Sequence, residues 1–104
     1  MTRTILPERR RSENFDFEHD GCRFTTTVGY GADGAIAEVF LNSSKLGSDR
    51  DSSARDAAIS VSLALQYGAP LDTLRGAITR NADGSPASPI GKVLDLLRST
   101  EESR

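Results

Sequence analysis

The chain has no tryptophan and only one cysteine, one histidine and one methionine in 104 residues. Each scarcity excludes something. A single Cys22 closes no internal disulfide, which fits a reducing compartment and predicts a cytoplasmic protein. One imidazole and one thiol fall short of the three or four nitrogen and sulfur ligands that a zinc site usually takes. No apolar run approaches the ~20 residues of a membrane-spanning helix. The Arg-rich beginning of the chain lacks the apolar centre of a signal peptide, so no membrane partner is expected. Aromatic residues are few, with four Phe and two Tyr, which predicts a mostly aliphatic core.

What is present describes a small globular protein. Hydrophobic residues make up 37% and charged residues 27%, a balance typical of soluble domains rather than disordered chains. The length suits one domain with little room for an enclosed cavity. The net charge of −2 conceals an asymmetry. Residues 1–11 carry Arg3, Arg9, Arg10 and Arg11 against Glu8, while the body is acidic. Residues 1–12 are therefore read as a flexible basic arm, 13–98 as a single domain and 99–104 as a polar tail.

The first half has the two-residue period of strands. Phe15 and Phe17 alternate with polar neighbours up to Asp20-Gly21, a strong signal for a tight hairpin turn. Cys22 to Tyr30 is rich in Thr, Phe, Val and Tyr. Gly31-Ala32-Asp33-Gly34 supplies a second turn before Ala35 to Asn42. The period then lengthens. From Ser53 to Tyr67, Ala54, Ala57, Ala58, Val61 and Leu65 fall on one helical side, with Asp51, Ser52 or Ser53 as the N-cap. Gly68 and Pro70 end this helix. A second helix opens at Pro70 with Leu71, Leu74 and Ile78, and Gly76 within it suggests a close helix crossing. A third follows Ser88-Pro89, with Ile90, Val93, Leu94 and Leu97 as its apolar stripe. The predicted architecture is α+β: a three-stranded antiparallel meander followed by three helices in a two-layer sandwich.

Several residues invite a functional reading. The polar connection 42–53 holds Ser43, Ser44, Lys45, Gly47 and Ser48 ahead of a helix N-terminus, where free amides can hold an anion or a nucleotide. Asp49 and Asp51 stand beside it and oppose a phosphate. Ile59, Leu63 and Tyr67 form a second apolar stripe on the long helix. That stripe either packs on the last helix or marks an interface with a second copy, as in a homodimer, or with a larger protein. Arg3, Arg9, Arg10 and Arg11 are the candidate contacts for nucleic acid. Glu38, set among apolar residues, needs a partner such as Arg55 or Arg23, or else exposure. His19 and Cys22 flank the Asp20-Gly21 turn and are read as turn residues. No catalytic residue and no metal ligand is assigned.

One resemblance covers much of the chain. Glu38-Val39-Phe40-Leu41-Asn42, Lys45-x-Gly47-Ser48, Ala57-Ala58-Ile59 and Ser62-Leu63-Ala64-Leu65-Gln66-Tyr67-Gly68-x-Pro70-Leu71 follow one another in an order that resembles the TSCPD domain. That module lies toward the C-terminus of adenosylcobalamin-dependent (class II) ribonucleotide reductases and also occurs as a stand-alone small protein. The Thr-Ser-Cys-Pro-Asp signature behind the family's name is absent here. The resemblance implies an accessory or interaction domain supporting deoxyribonucleotide synthesis through a partner, such as a reductase large subunit. Adenosylcobalamin belongs to the related full-length reductases, and no cofactor is expected in this chain. Ribonucleotide reduction needs a thiyl radical and a reducing cysteine pair, which Cys22 alone does not supply. The alternatives are a nucleic-acid-binding module using the arm and a nucleotide-sensing domain using the 42–53 loop.

Overall fold

A computed structural model describes residues 2–45 and 47–102. Met1 of the arm, Leu46 of the 42–53 connection and residues 103–104 of the tail lie outside the described residues. Three strands, β1 (Ser12–His19), β2 (Cys22–Tyr30) and β3 (Ile36–Ser43), form an antiparallel sheet in the order β1-β2-β3. Three helices follow: α1 (Asp49–Gln66), α2 (Leu71–Ala77) and α3 (Pro89–Glu102). The expected meander and its helices are both present.

The first hairpin forms because Asp20 and Gly21 both adopt positive φ, at 51° and 75°, as a tight two-residue turn of this hand requires. That turn fixes the register His19↔Cys22 and Phe17↔Phe24. Phe17 and Phe24 therefore stack, with ring centroids 5.5 Å apart. The same alternation carries Val28 and Tyr30 of β2 and Val39 and Leu41 of β3 to the inner face. Ala54, Ala58 and Val61 of α1 and Ile90, Val93, Leu94 and Leu97 of α3 close the core over them.

α1 begins four residues earlier than its apolar period indicates. Its N-cap is Ser48, whose hydroxyl accepts from the Asp51 amide. At the other end Gly68, at φ 99°, turns the chain. The Gly68 amide donates to Leu65 O and the Ala69 amide to Ala64 O, the paired bonds of a Schellman stop. In α2 the expected close crossing at Gly76 is not found, since a Cβ there would meet nothing within 4 Å. α3 continues to Glu102, beyond the boundary at Arg98 drawn from its apolar stripe. Asp95 of α3 accepts from Arg75 at 3.1 Å and from both terminal nitrogens of Arg80 at 2.7 and 3.0 Å. This fork, led by Arg80, holds the Asp95 carboxyl below its ordinary range and ties α2 and the following connection to α3.

Candidate docking surface

β3 is an edge strand, and α1 closes its open side with side chains rather than with a fourth ladder. The Ser62 hydroxyl accepts from Val39 N at 2.8 Å and donates to Val39 O at 2.9 Å. Gln66 Nε2 donates to Ala37 O at 3.1 Å, and Asp51 Oδ1 accepts from Ser43 N at 2.9 Å. These three polar residues are buried on the stripe of α1 that runs beside β3. Their role satisfies backbone groups that an edge otherwise leaves open to pairing with another chain. Apolar periodicity gives no role to Ser62 or Gln66, because it passes over polar residues that face a strand edge.

The 42–53 connection is organised around Asp51, which is 1% exposed. Its second oxygen accepts from Gly47 N at 3.2 Å, so one carboxylate takes the amides of both Ser43 and Gly47. Hydrogen bonding from Ser43, first, and Gly47 lowers the Asp51 pKa against the opposing effect of burial. Ser43 Oγ and Ser48 Oγ both donate to Lys45 O, while Ser44 N donates to Arg23 O. The Lys45 side chain is exposed. The amides of Ser43 and Gly47, available to an external anion on the sequence alone, are held by the protein's own carboxylate. The legible signal was Ser48-x-x-Asp51, the spacing of a capping box.

The basic arm is engaged by the body. Arg10 Nε lies 2.6 Å from Glu38 Oε1, so the partner of Glu38 is neither Arg55 nor Arg23. Gly29 lies beneath this pair, and a Cβ there would collide with the Glu38 carboxylate. The Arg11 guanidinium sits 4.0 Å above the Tyr30 ring, and Tyr30 N donates to Arg11 O. Arg3 Nε donates to Gln66 Oε1 at 2.6 Å, and Thr4 N donates to Gln66 O at 2.7 Å. Arg3 thereby sets a positive charge at the C-terminal end of α1, which has no basic residue in its own last turn. Arg9 is exposed.

His19 and Cys22 face each other across the first hairpin. His19 Nε2 is 3.4 Å from Asp20 Oδ2 but accepts or donates no hydrogen bond, and Cys22 is buried. Among the described residues no group of three or more His, Cys, Asp or Glu could hold a metal ion.

The second apolar stripe of α1 stays about half exposed. Ile59 is 53%, Leu63 39% and Tyr67 44% exposed. Phe40, on the outer face of the sheet, is 48% exposed and reaches the same side of the molecule. Phe40 and Ile59 are walls of one open groove of about 420 Å³, which also receives Arg55. Ile5, in the arm, is exposed beside Gln66 near the other end of the stripe. Of the large exposed apolar side chains among the described residues, Phe40 and Ile59 thus meet at the β3–α1 groove, and Leu63 and Tyr67 continue the Ile59 stripe along the exposed side of α1. No helix among them is long and apolar enough to cross a membrane.

The fold defines a small α+β domain whose edge strand is sealed by a long helix. Comparison with known proteins identifies its family: a profile of the TSCPD domain matches residues 2–98, and the chain belongs to that family. It is similar to a vitamin B12-dependent ribonucleotide reductase of Bradyrhizobium diazoefficiens, with 34% identity over 88 residues, 85% of this chain. The match spans only 7% of that relative's length. No solved structure matches.

Proposed function

We propose that this domain is a non-catalytic accessory module that acts in the cytoplasm by docking on a protein partner through Ile59, Leu63, Tyr67 and Phe40. The observation that carries this reading is the position of the four side chains. Phe40 and Ile59 line one groove, Leu63 and Tyr67 continue the Ile59 stripe along α1, and all four stay about half exposed on elements already fixed by the core and by the Asp51, Ser62 and Gln66 bonds. A rigid frame holding apolar side chains in water lowers the ordering cost of association. Patches of this kind mark interaction surfaces more often than chance exposure does.

The partner we assign is the body of a cobalamin-dependent ribonucleotide reductase, and the role is support of deoxyribonucleotide synthesis. Support comes from the relative, in which the matching segment is a small part of a far longer reductase chain. The nucleic-acid reading is weaker, because Arg3, Arg10 and Arg11 already have partners in the fold. Sedimentation velocity of the purified chain mixed with a cobalamin-dependent reductase tests the assignment. Co-sedimentation that is lost in Leu63→Glu is expected. A chain that sediments alone at micromolar concentrations overturns it.

A further inference from the structure

We propose that the groove between β3 and α1 receives a protein segment presenting a carboxylate beside a large apolar side chain, and that Arg55 is the residue that reads the carboxylate. The inference rests on the docking reading above and specifies the chemistry of what docks.

Three observations converge on it. The groove has apolar walls from Phe40, Ala58 and Ile59 and polar ones from Thr27 and Asn42. Arg55 enters it with its side chain 59% exposed. Its nearest acid is Asp51, whose Oδ2 is 3.9 Å away. At 3.9 Å the Asp51 oxygen is beyond hydrogen-bond distance, so Asp51 attracts the guanidinium without accepting from it. Among the described residues Arg55 donates no hydrogen bond, whereas Arg10, Arg75 and Arg80 each donate to a carboxylate.

A guanidinium with its planar fork of donors unused, beside half-exposed apolar walls, suits one ligand chemistry. A carboxylate can take two parallel N–H bonds while the neighbouring apolar group covers Phe40 and Ile59. Excluding water then strengthens the charged bonds. Arginine flanked by apolar side chains is also a frequent centre of interface energy. A second copy of this chain is a poorer occupant. A two-fold contact sets the same patch against itself, bringing one Arg55 toward the other. Asp56, the next acid, is turned about 100° round α1 from Arg55.

The experiment selects binders from a random peptide library displayed against the full chain. Affinities of the selected peptides are then measured for the wild type and for Arg55→Ala, Arg55→Lys and Phe40→Ala. We expect peptides enriched in Asp or Glu within a few positions of a large apolar residue. Arg55→Ala should weaken them about tenfold or more, Arg55→Lys should restore only part of that loss, and added salt should weaken the wild type more than Arg55→Ala. Thermal midpoints of the two Arg55 variants should stay near the wild-type value, since the Arg55 side chain is 59% exposed. No enrichment, enrichment without acids, unchanged affinity in Arg55→Ala, or self-association competing with the peptides would each overturn the proposal. The reductase test is read separately. If the reductase binds the wild type and Arg55→Ala equally, docking stands and the role of Arg55 falls. If acidic peptides bind as expected but no reductase does, the assigned partner falls and the groove chemistry stands.

Discussion

Asp51 joins a loop to a helix start through a carboxylate that accepts from Ser43 N and Gly47 N while its own amide is capped by Ser48. An asparagine has the same shape but one oxygen, so its NH₂ would face one of those amides donor to donor. Asp51→Asn should therefore lower the thermal midpoint at neutral pH. The folded pKa lies below the ordinary 3.8. The carboxylate's contribution is therefore complete above the unfolded value and disappears as pH falls through the folded one. The gap between wild type and variant should narrow on acidification from neutral pH to below the carboxylate range. A gap that stays constant would contradict this role. Gly76 offers the opposite case. A methyl group there meets nothing, so Gly76→Ala should stabilise the protein by about 1 kcal/mol through helix propensity, measured by urea denaturation. At this scale the sequence was readable where chemistry is local, as at Asp20-Gly21 and Gly68. It was not readable where partners are distant. Glu38 meets Arg10 across 28 positions, and nothing in the strand's own pattern favours that arginine over Arg23 or Arg55.

Among the elements, α1 has two tasks that ask for different residues. One side supplies Ala54, Ala58 and Val61 to the core, and small side chains let it lie close to the sheet. The neighbouring stripe supplies hydrogen-bonding groups to β3. Ser62 serves both backbone groups of Val39, so its loss leaves a buried donor and acceptor unmatched. Ser62→Ala should cost about 1–3 kcal/mol. Ser60→Ala is the control: the Ser60 hydroxyl bonds only to Asp56 O on the exposed side of the same helix. It should change stability by less than about 0.5 kcal/mol. Equal losses at both positions, measured by urea denaturation, would remove the edge-sealing role. The apolar period correctly located all three helices and the core stripe of α3. It placed the start of α1 too late, because the first turn, Asp49 to Ser52, is polar and is held by the cap and the loop rather than by the core.

For the whole molecule, the distribution of exposed apolar groups is the feature on which the proposed function rests. The inner sheet face, α1 and α3 consume most of the aliphatic residues. The arm ties one end of the sheet and of α1 through Arg10, Arg11 and Arg3. Phe40 and Ile59 then line the β3–α1 groove, and Leu63 and Tyr67 extend the exposed stripe of α1. The Ile59, Leu63 and Tyr67 stripe is visible without coordinates because of its four-residue spacing, but its exposure is not. Nothing in the sequence warned of Phe40 or Arg55, whose place in the groove depends on how the sheet meets the helix. The central claim is that a partner lands on this surface, and cross-saturation NMR on the complex with the reductase body tests it most directly. The account predicts the largest signal losses at Phe40, Ile59, Leu63 and Tyr67, with α2 and the outer side of α3 unaffected. Losses concentrated on α2 and α3, or on the loop around Lys45, would contradict it.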